Sequence, residues 1–168
     1  MKWVLLLRAV NLGPTNKLAM KDLKALLEDL GHREVTTTLN SGNASFVSSK
    51  RSASALAEEV EKGLRERLAL DVRACVRTVA DIEAALDGLP ELPGYVVVSV
   101  LFDKPTAAAL TEFLATDWSP ETVRGNDQVL YIGFLDAAKT KLTNVKIERA
   151  LGVGATARTP ATLRKVIG

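Results

Sequence analysis

The feature that most restricts how this sequence can fold is an order of elements that runs once up to Leu89-Pro90-Glu91-Leu92-Pro93-Gly94 and then begins again. Two prolines and a glycine interrupt helix and strand alike, so this stretch reads as a linker. Before it, Lys2 to Arg8 is predicted as a strand, followed by an irregular segment, Ala9 to Leu18, that holds Gly13, Pro14 and two asparagines. A helix is predicted over Met20 to Leu30, where Leu23, Leu26, Leu27 and Leu30 recur at helical spacing and Gly31 supplies the stop. Val35 to Leu39 and Ala44 to Ser48 read as strands on either side of Asn40-Ser41-Gly42-Asn43, whose glycine and asparagines suit a tight hairpin. A helix from Ser54 to Leu68, an alternating strand from Val72 to Arg77 and a short helix from Asp81 to Leu86 complete the first round.

After the linker come a strand from Tyr95 to Phe102, a helix from Pro105 to Ala115, a strand from Glu121 to Arg124, a turn at Gly125-Asn126-Asp127 and a strand from Val129 to Phe134. A helix from Leu142 to Leu151, a strand from Ala155 to Arg158 and a helix from Pro160 to Val166 follow. The order is βαββαβ twice over, although the two halves share little residue identity. This predicts an α+β fold of two successive ferredoxin-like halves, each an antiparallel sheet with helices on one face. The division is an N-terminal half over 1–89, a linker over 90–94 and a C-terminal half over 95–168 that ends in a basic tail. Both leading strands are apolar on both sides, as in strands covered on both faces by the other sheet or by a second subunit, so an oligomer fits the pattern too.

Composition narrows the class further. With 47% apolar and 25% charged residues over 168 positions, the chain has the balance of a globular protein. Its apolar runs fall short of the roughly 18 residues a membrane span needs, and no export signal stands at Met1-Lys2-Trp3, so a cytoplasmic protein without membrane attachment is expected. A single cysteine, Cys75, and a single histidine, His32, argue against a disulfide and against the usual zinc constellations, so no metal site and no cofactor are expected. Cys75 reads as a partly buried thiol, His32 as a partner of the preceding helix's last carbonyls, and Trp3 and Trp118 as core or interface packing. The net charge of +2 is unevenly spread: residues 136–168 hold 7 basic and 2 acidic side chains, a local excess that favours an anionic partner.

In a βαββαβ sheet the first and third strands are antiparallel neighbours. The end of the first strand, with Arg8 and Asn11, should therefore approach the hairpin carrying Ser41 and Asn43, with Lys17 near the next helix. A cation, amides, a hydroxyl and backbone N–H groups near a glycine can grip a phosphate or carboxylate, and the same residues are also ordinary turn formers. In the second half, Lys141 and Thr143 stand at a helix start and Arg158 ends a strand at the same sheet edge, which makes a second basic corner.

Leu6-Leu7-Arg8-Ala9-Val10-Asn11-Leu12-Gly13, Asn16-Lys17-Leu18-Ala19-Met20 and Ser41-Gly42-Asn43 together resemble the bacterial family catalogued as domain of unknown function 1697. Lys141-Leu142-Thr143-Asn144, Ala155-Thr156-Ala157-Arg158 and Thr162-Leu163-Arg164-Lys165 resemble that family's C-terminal signature. The sequence departs from the family at Ala9 and Pro14, where glycine is usual, at Asn40, where glutamine is usual, and at Thr159-Pro160, where asparagine-tryptophan is usual. The resemblance implies a cytosolic bacterial protein and points to the residues already singled out: Arg8, Asn11, Ser41, Asn43, Lys141, Thr143 and Arg158.

The leading functional expectation is a small anionic ligand, a nucleotide or phosphorylated metabolite, held in a cleft where the two basic corners meet. A nucleic-acid-binding protein using the basic C-terminal segment is the alternative, although the central strands lack the aromatic pattern of RNA-recognition domains. A third reading is an enzyme of unassigned reaction type working through Lys141 or a serine without histidine, and a fourth is a purely structural role.

Overall fold

Residues 1–168 are described in a computed structural model. The first round of elements is β1 (Lys2–Leu7), α1 (Met20–Asp29), β2 (Arg33–Thr38), β3 (Asn43–Val47), α2 (Ala53–Leu68) and β4 (Ala74–Thr78). α3 (Val79–Asp87) leads to the second: β5 (Tyr95–Leu101), α4 (Ala107–Ala115), β6 (Thr122–Gly125), β7 (Val129–Phe134), α5 (Asn144–Leu151) and β8 (Ala155–Arg158), with α6 (Pro160–Ile167) last. Two antiparallel sheets result, with strand orders β2-β3-β1-β4 and β6-β7-β5-β8. The same ferredoxin-like order appears twice, as the sequence pattern predicts.

By contact, the chain divides into two compact units, Met1–Ala84 together with Thr162–Gly168, and Ala85–Ala161. The sequence-based division placed everything from residue 95 onward in the second half. Residues 162–168 instead group with the first unit, where the Lys2 ammonium reaches the Ile167 carbonyl at 3.4 Å.

In the first unit, Trp3, Leu5 and Leu7 of β1 face the apolar stripes of the helices: Leu23 and Leu27 of α1, and Leu56, Val60 and Leu64 of α2. Ala74 and Val76 join them from one side of β4, and Val72 from just before the strand, which starts two residues later than the alternation predicts. Val4, Leu6 and Cys75 point the other way and are also buried, so β1 is shielded on both faces as its double apolar pattern implies. Each fully buried leucine contributes on the order of 2 kcal/mol by leaving water. The second unit repeats the plan, with Val97, Leu101, Leu130 and Ile132 of the sheet against Phe113, Ile147 and Leu151 of the helices.

Hydrogen bonds set the element ends. Ser52 caps α2 by accepting from the Ala55 N–H at 3.2 Å, and Thr143 caps α5 by accepting from the Lys146 N–H at 3.2 Å. That cap moves the start of α5 to Asn144, beyond the Leu142 that periodicity suggested. The hairpin between β2 and β3 likewise shifts by one residue: Asn43 lies within β3, opposite Leu6 and Thr38, and the turn is made by residues 39–42. His32 meets the expected helix carbonyl through its backbone, whose N–H donates to the Leu27 carbonyl at 3.1 Å, while its imidazole is buried, stacks on Phe46 at 4.6 Å and lies 3.4 Å from Glu59. Burial lowers its pKa, with Lys50 adding to the effect and Glu59 opposing it. No helix is long and apolar enough to cross a membrane.

Candidate functional site

At the first corner, the end of β1 and the start of β3 do meet. The Leu7 N–H donates to the Gly42 carbonyl at 2.9 Å, and the Arg8 N–H donates to the Arg73 carbonyl at 3.0 Å. The chain then runs irregularly over residues 8–19. Ala9, Asn11 and Asn16 in this segment, and Leu39 in the adjoining turn, all have φ between 53° and 58°. That left-handed region costs a non-glycine residue about 1–2 kcal/mol, so the corner holds concentrated backbone strain.

Asn11 is what holds the strained segment. Its side-chain oxygen accepts from the Leu18 N–H at 2.8 Å, while its amide nitrogen donates to the Leu18 carbonyl at 2.8 Å and to the Asn40 carbonyl at 3.0 Å. Both amide hydrogens are committed, so this side chain positions the loop and has no donor left to offer a ligand. Asn43 is fully buried and donates to the Thr38 carbonyl at 3.1 Å, which makes it part of the hairpin. Arg8 and Ser41 are half-buried and Lys17 is exposed. Of the residues proposed for this corner, those three keep accessible surface.

The second unit is organised differently. Thr116 to Glu121, after α4, with Lys139 to Leu142 before α5 and Lys146 in its first turn, enclose a depression of about 520 Å³. Three lysines line it: Lys139, Lys141 and Lys146. Lys139 is 4.0 Å from Asp136, an exposed pair of little energetic weight. Lys146 sits over the Trp118 ring at 5.6 Å, and no ion pair engages Lys141. Trp118 is oriented by its indole N–H, which donates to the Phe113 carbonyl at 2.8 Å, and by ring packing on Phe113 at 4.9 Å.

Two carboxylates share this wall, and they differ. Asp117 accepts from both the hydroxyl and the N–H of Ser119, which holds its pKa below the usual carboxylate range. Glu121 is 8% exposed; one carboxylate oxygen accepts from the Leu135 N–H at 3.1 Å, and the other, Oε1, is buried with no hydrogen-bond partner. Such an unpaired buried acceptor costs about 1–3 kcal/mol.

Of the residues proposed for the second corner, only Lys141 lines the depression. The Thr143 hydroxyl is the α5 cap, and Arg158 folds back on its own strand, donating to the Thr156 hydroxyl at 2.7 Å and the Ala157 carbonyl at 2.9 Å. Sequence reasoning passed over Lys139, Lys146 and Glu121, and read Trp118 as packing alone. A basic run before a helix cap was the available signal for the lysines; nothing local marks Glu121. Of the aromatic side chains on the central strands, Trp3, Phe46 and Tyr131 are buried, the Tyr131 hydroxyl donating to the Ala85 carbonyl at 2.7 Å, whereas Tyr95 is exposed and its cross-strand neighbour Phe134 is half-buried.

Comparison with known proteins agrees with the architecture. The chain is similar to a solved structure described as conserved bacterial protein SP0830 from Streptococcus pneumoniae, at 22% sequence identity and a TM-score of 0.77, covering 99% of this chain and 96% of that one. At that identity the likeness shows the fold alone. No curated protein matches the chain. Residues 1–131 match the family model described as "Protein of unknown function (DUF1697)", which takes in everything from β1 to the first half of β7. The chain therefore belongs to the DUF1697 family of proteins of unknown function.

Proposed function

We propose that this protein binds a small anionic ligand, of the nucleotide or phosphorylated-metabolite class, in the lysine-lined depression of the second unit. The observation that carries the reading is the convergence of Lys139, Lys141 and Lys146 on one concave surface. Separate segments bring them there: Lys139 and Lys141 from the link before α5, Lys146 from its first turn, opposite the residues that follow α4. Ammonium groups gathered in a hollow attract an anion more strongly than the same groups on a convex surface, because the low-dielectric walls focus their field. Lys141 is the residue best placed to contact it, since no carboxylate competes for its charge.

The test is thermal unfolding in the presence of inorganic phosphate and pyrophosphate at low ionic strength. Binding to the folded state raises the midpoint in proportion to the logarithm of ligand concentration. The expected outcome is a rise with pyrophosphate that disappears in Lys141→Ala. An unchanged midpoint at millimolar concentrations of both anions would overturn the proposal.

A further inference from the structure

Glu121 is out of place in a site whose other charged walls are lysines. It is nine-tenths buried, belongs to the wall of the depression, and has one oxygen fixed by the Leu135 N–H while Oε1 has no donor. None of the three lysines forms an ion pair with it, although all share the same hollow. A carboxylate oxygen accepts only, so Oε1 calls for an N–H or O–H group from outside the protein. The ring of Trp118 stands in the same wall, half-exposed and held in orientation by its bond to the Phe113 carbonyl. The depression thus offers cations, a flat apolar face and a recessed acceptor.

We infer that the ligand is a nucleotide whose base carries an exocyclic amino group, with its phosphate on the lysines, its base against Trp118 and its amino N–H donated to Glu121 Oε1. This rests on the anion-binding reading and narrows it. A phosphorylated sugar or free phosphate would satisfy the lysines and leave Glu121 Oε1 without a donor. A base with a carbonyl where the amine should be would bring oxygen against oxygen. Sites built to pair a specific polar group reject the analogue that lacks it far more strongly than apolar pockets reject a change of size.

Cytidine and uridine 5′-monophosphate test this cleanly, because they differ in the amino or carbonyl group at one ring position. The readout is tryptophan fluorescence: of the two tryptophans, Trp3 is 3% exposed, so quenching by an added nucleotide reports Trp118. Cytidine monophosphate is expected to quench and to bind roughly tenfold more tightly than uridine monophosphate, the size of one hydrogen bond to a charged acceptor. Glu121→Gln keeps an oxygen for the Leu135 N–H and replaces Oε1 by a donor, so it should abolish that preference. Equal affinity of the unmodified protein for the two nucleotides, with pyrophosphate still bound, would overturn the nucleotide assignment and leave the anion site standing. Failure of pyrophosphate to bind would remove both.

Discussion

The two halves share a scaffold and differ in where they place irregular chain. Their fixed points correspond closely. Leu7 and Leu101 each donate to a carbonyl of the neighbouring hairpin, and Arg8 and Phe102 each donate to the residue just before or at the start of the last strand. The last strand itself is anchored alike: the Ala74 N–H donates to Glu61 of α2 at 2.8 Å, and the Ala155 N–H to Glu148 of α5 at 3.0 Å. In the first half, however, the irregular chain lies between the first strand and first helix, over residues 8–19, against only 102–106 in the second. The second half puts its extra length before its second helix, over residues 135–143, against 48–52 in the first. In the shared plan these are opposite ends of the sheet. One extension is held by the Asn11 amide clamp under strain; the other leaves its lysines in solvent. A conserved scaffold geometry therefore does not imply equivalent sites on its two copies, and each loop must be read from its own hydrogen bonds.

The comparison can be broken most severely at Gly42. Its φ is 75°, and an added Cβ would lie 2.7 Å from both the Leu7 Cβ and the Val10 Cγ2. Gly42→Ala should cost about 3 kcal/mol or more in urea unfolding, combining left-handed strain with overpacking. A cost below about 1 kcal/mol would mean that the corner yields easily.

Asn11→Ala comes next. It removes the clamp from Leu18 and Asn40 and should cost about 2 kcal/mol, with faster amide exchange confined to residues 8–19. The corresponding short link depends on a helix cap instead: Thr106 accepts from the Ala109 N–H at 3.1 Å, and Thr106→Ala should cost about 1 kcal/mol. If the two substitutions cost the same, the idea that the longer loop depends specially on its amide fails.

The smallest effects come from the helix ends, where the halves carry different residues in one conformation. Ala69 ends α2 at φ 53° and Gly152 ends α5 at φ 70°. Gly152 has no atom within 4 Å of an added Cβ, so Gly152→Ala should cost about 1 kcal/mol from backbone strain alone. Ala69→Gly, and by the same reasoning Ala9→Gly at φ 58°, should be neutral or stabilise by up to about 1 kcal/mol. A clear loss of stability in Ala69→Gly would show that its methyl group does more for packing than the left-handed backbone takes away.

Much of this was legible in the sequence because it is a matter of spacing. Leucines at four-residue steps in α2 and alternating residues in the last strand of the first half assign elements and inward faces directly, and the return of the same order after Gly94 identifies the repeat. The shift of Asn43 from turn into strand escaped, because asparagine's turn preference is local, whereas its place opposite Leu6 depends on a strand far away in sequence. The His32 imidazole escaped for the same reason: the backbone N–H meets the Leu27 carbonyl as a residue after a helix stop should, but the side chain's place is set by Phe46 and Glu59 of other elements. Among the candidate residues, Arg8, Lys17, Ser41 and Lys141 keep the accessibility a ligand would need, while Asn11, Thr143 and Arg158 use their side chains within the fold.

Local pattern, then, determined the element order, the buried faces and the basic character of the C-terminal segment, because hydrophobic period and charge are properties of neighbours in the chain. Tertiary structure alone decided that Trp118 and Glu121 from the end of one helix share a hollow with lysines at the start of another. The reason is physical: a recessed carboxylate oxygen becomes an unmet acceptor only when distant segments close over it, and no run of residues encodes that by itself.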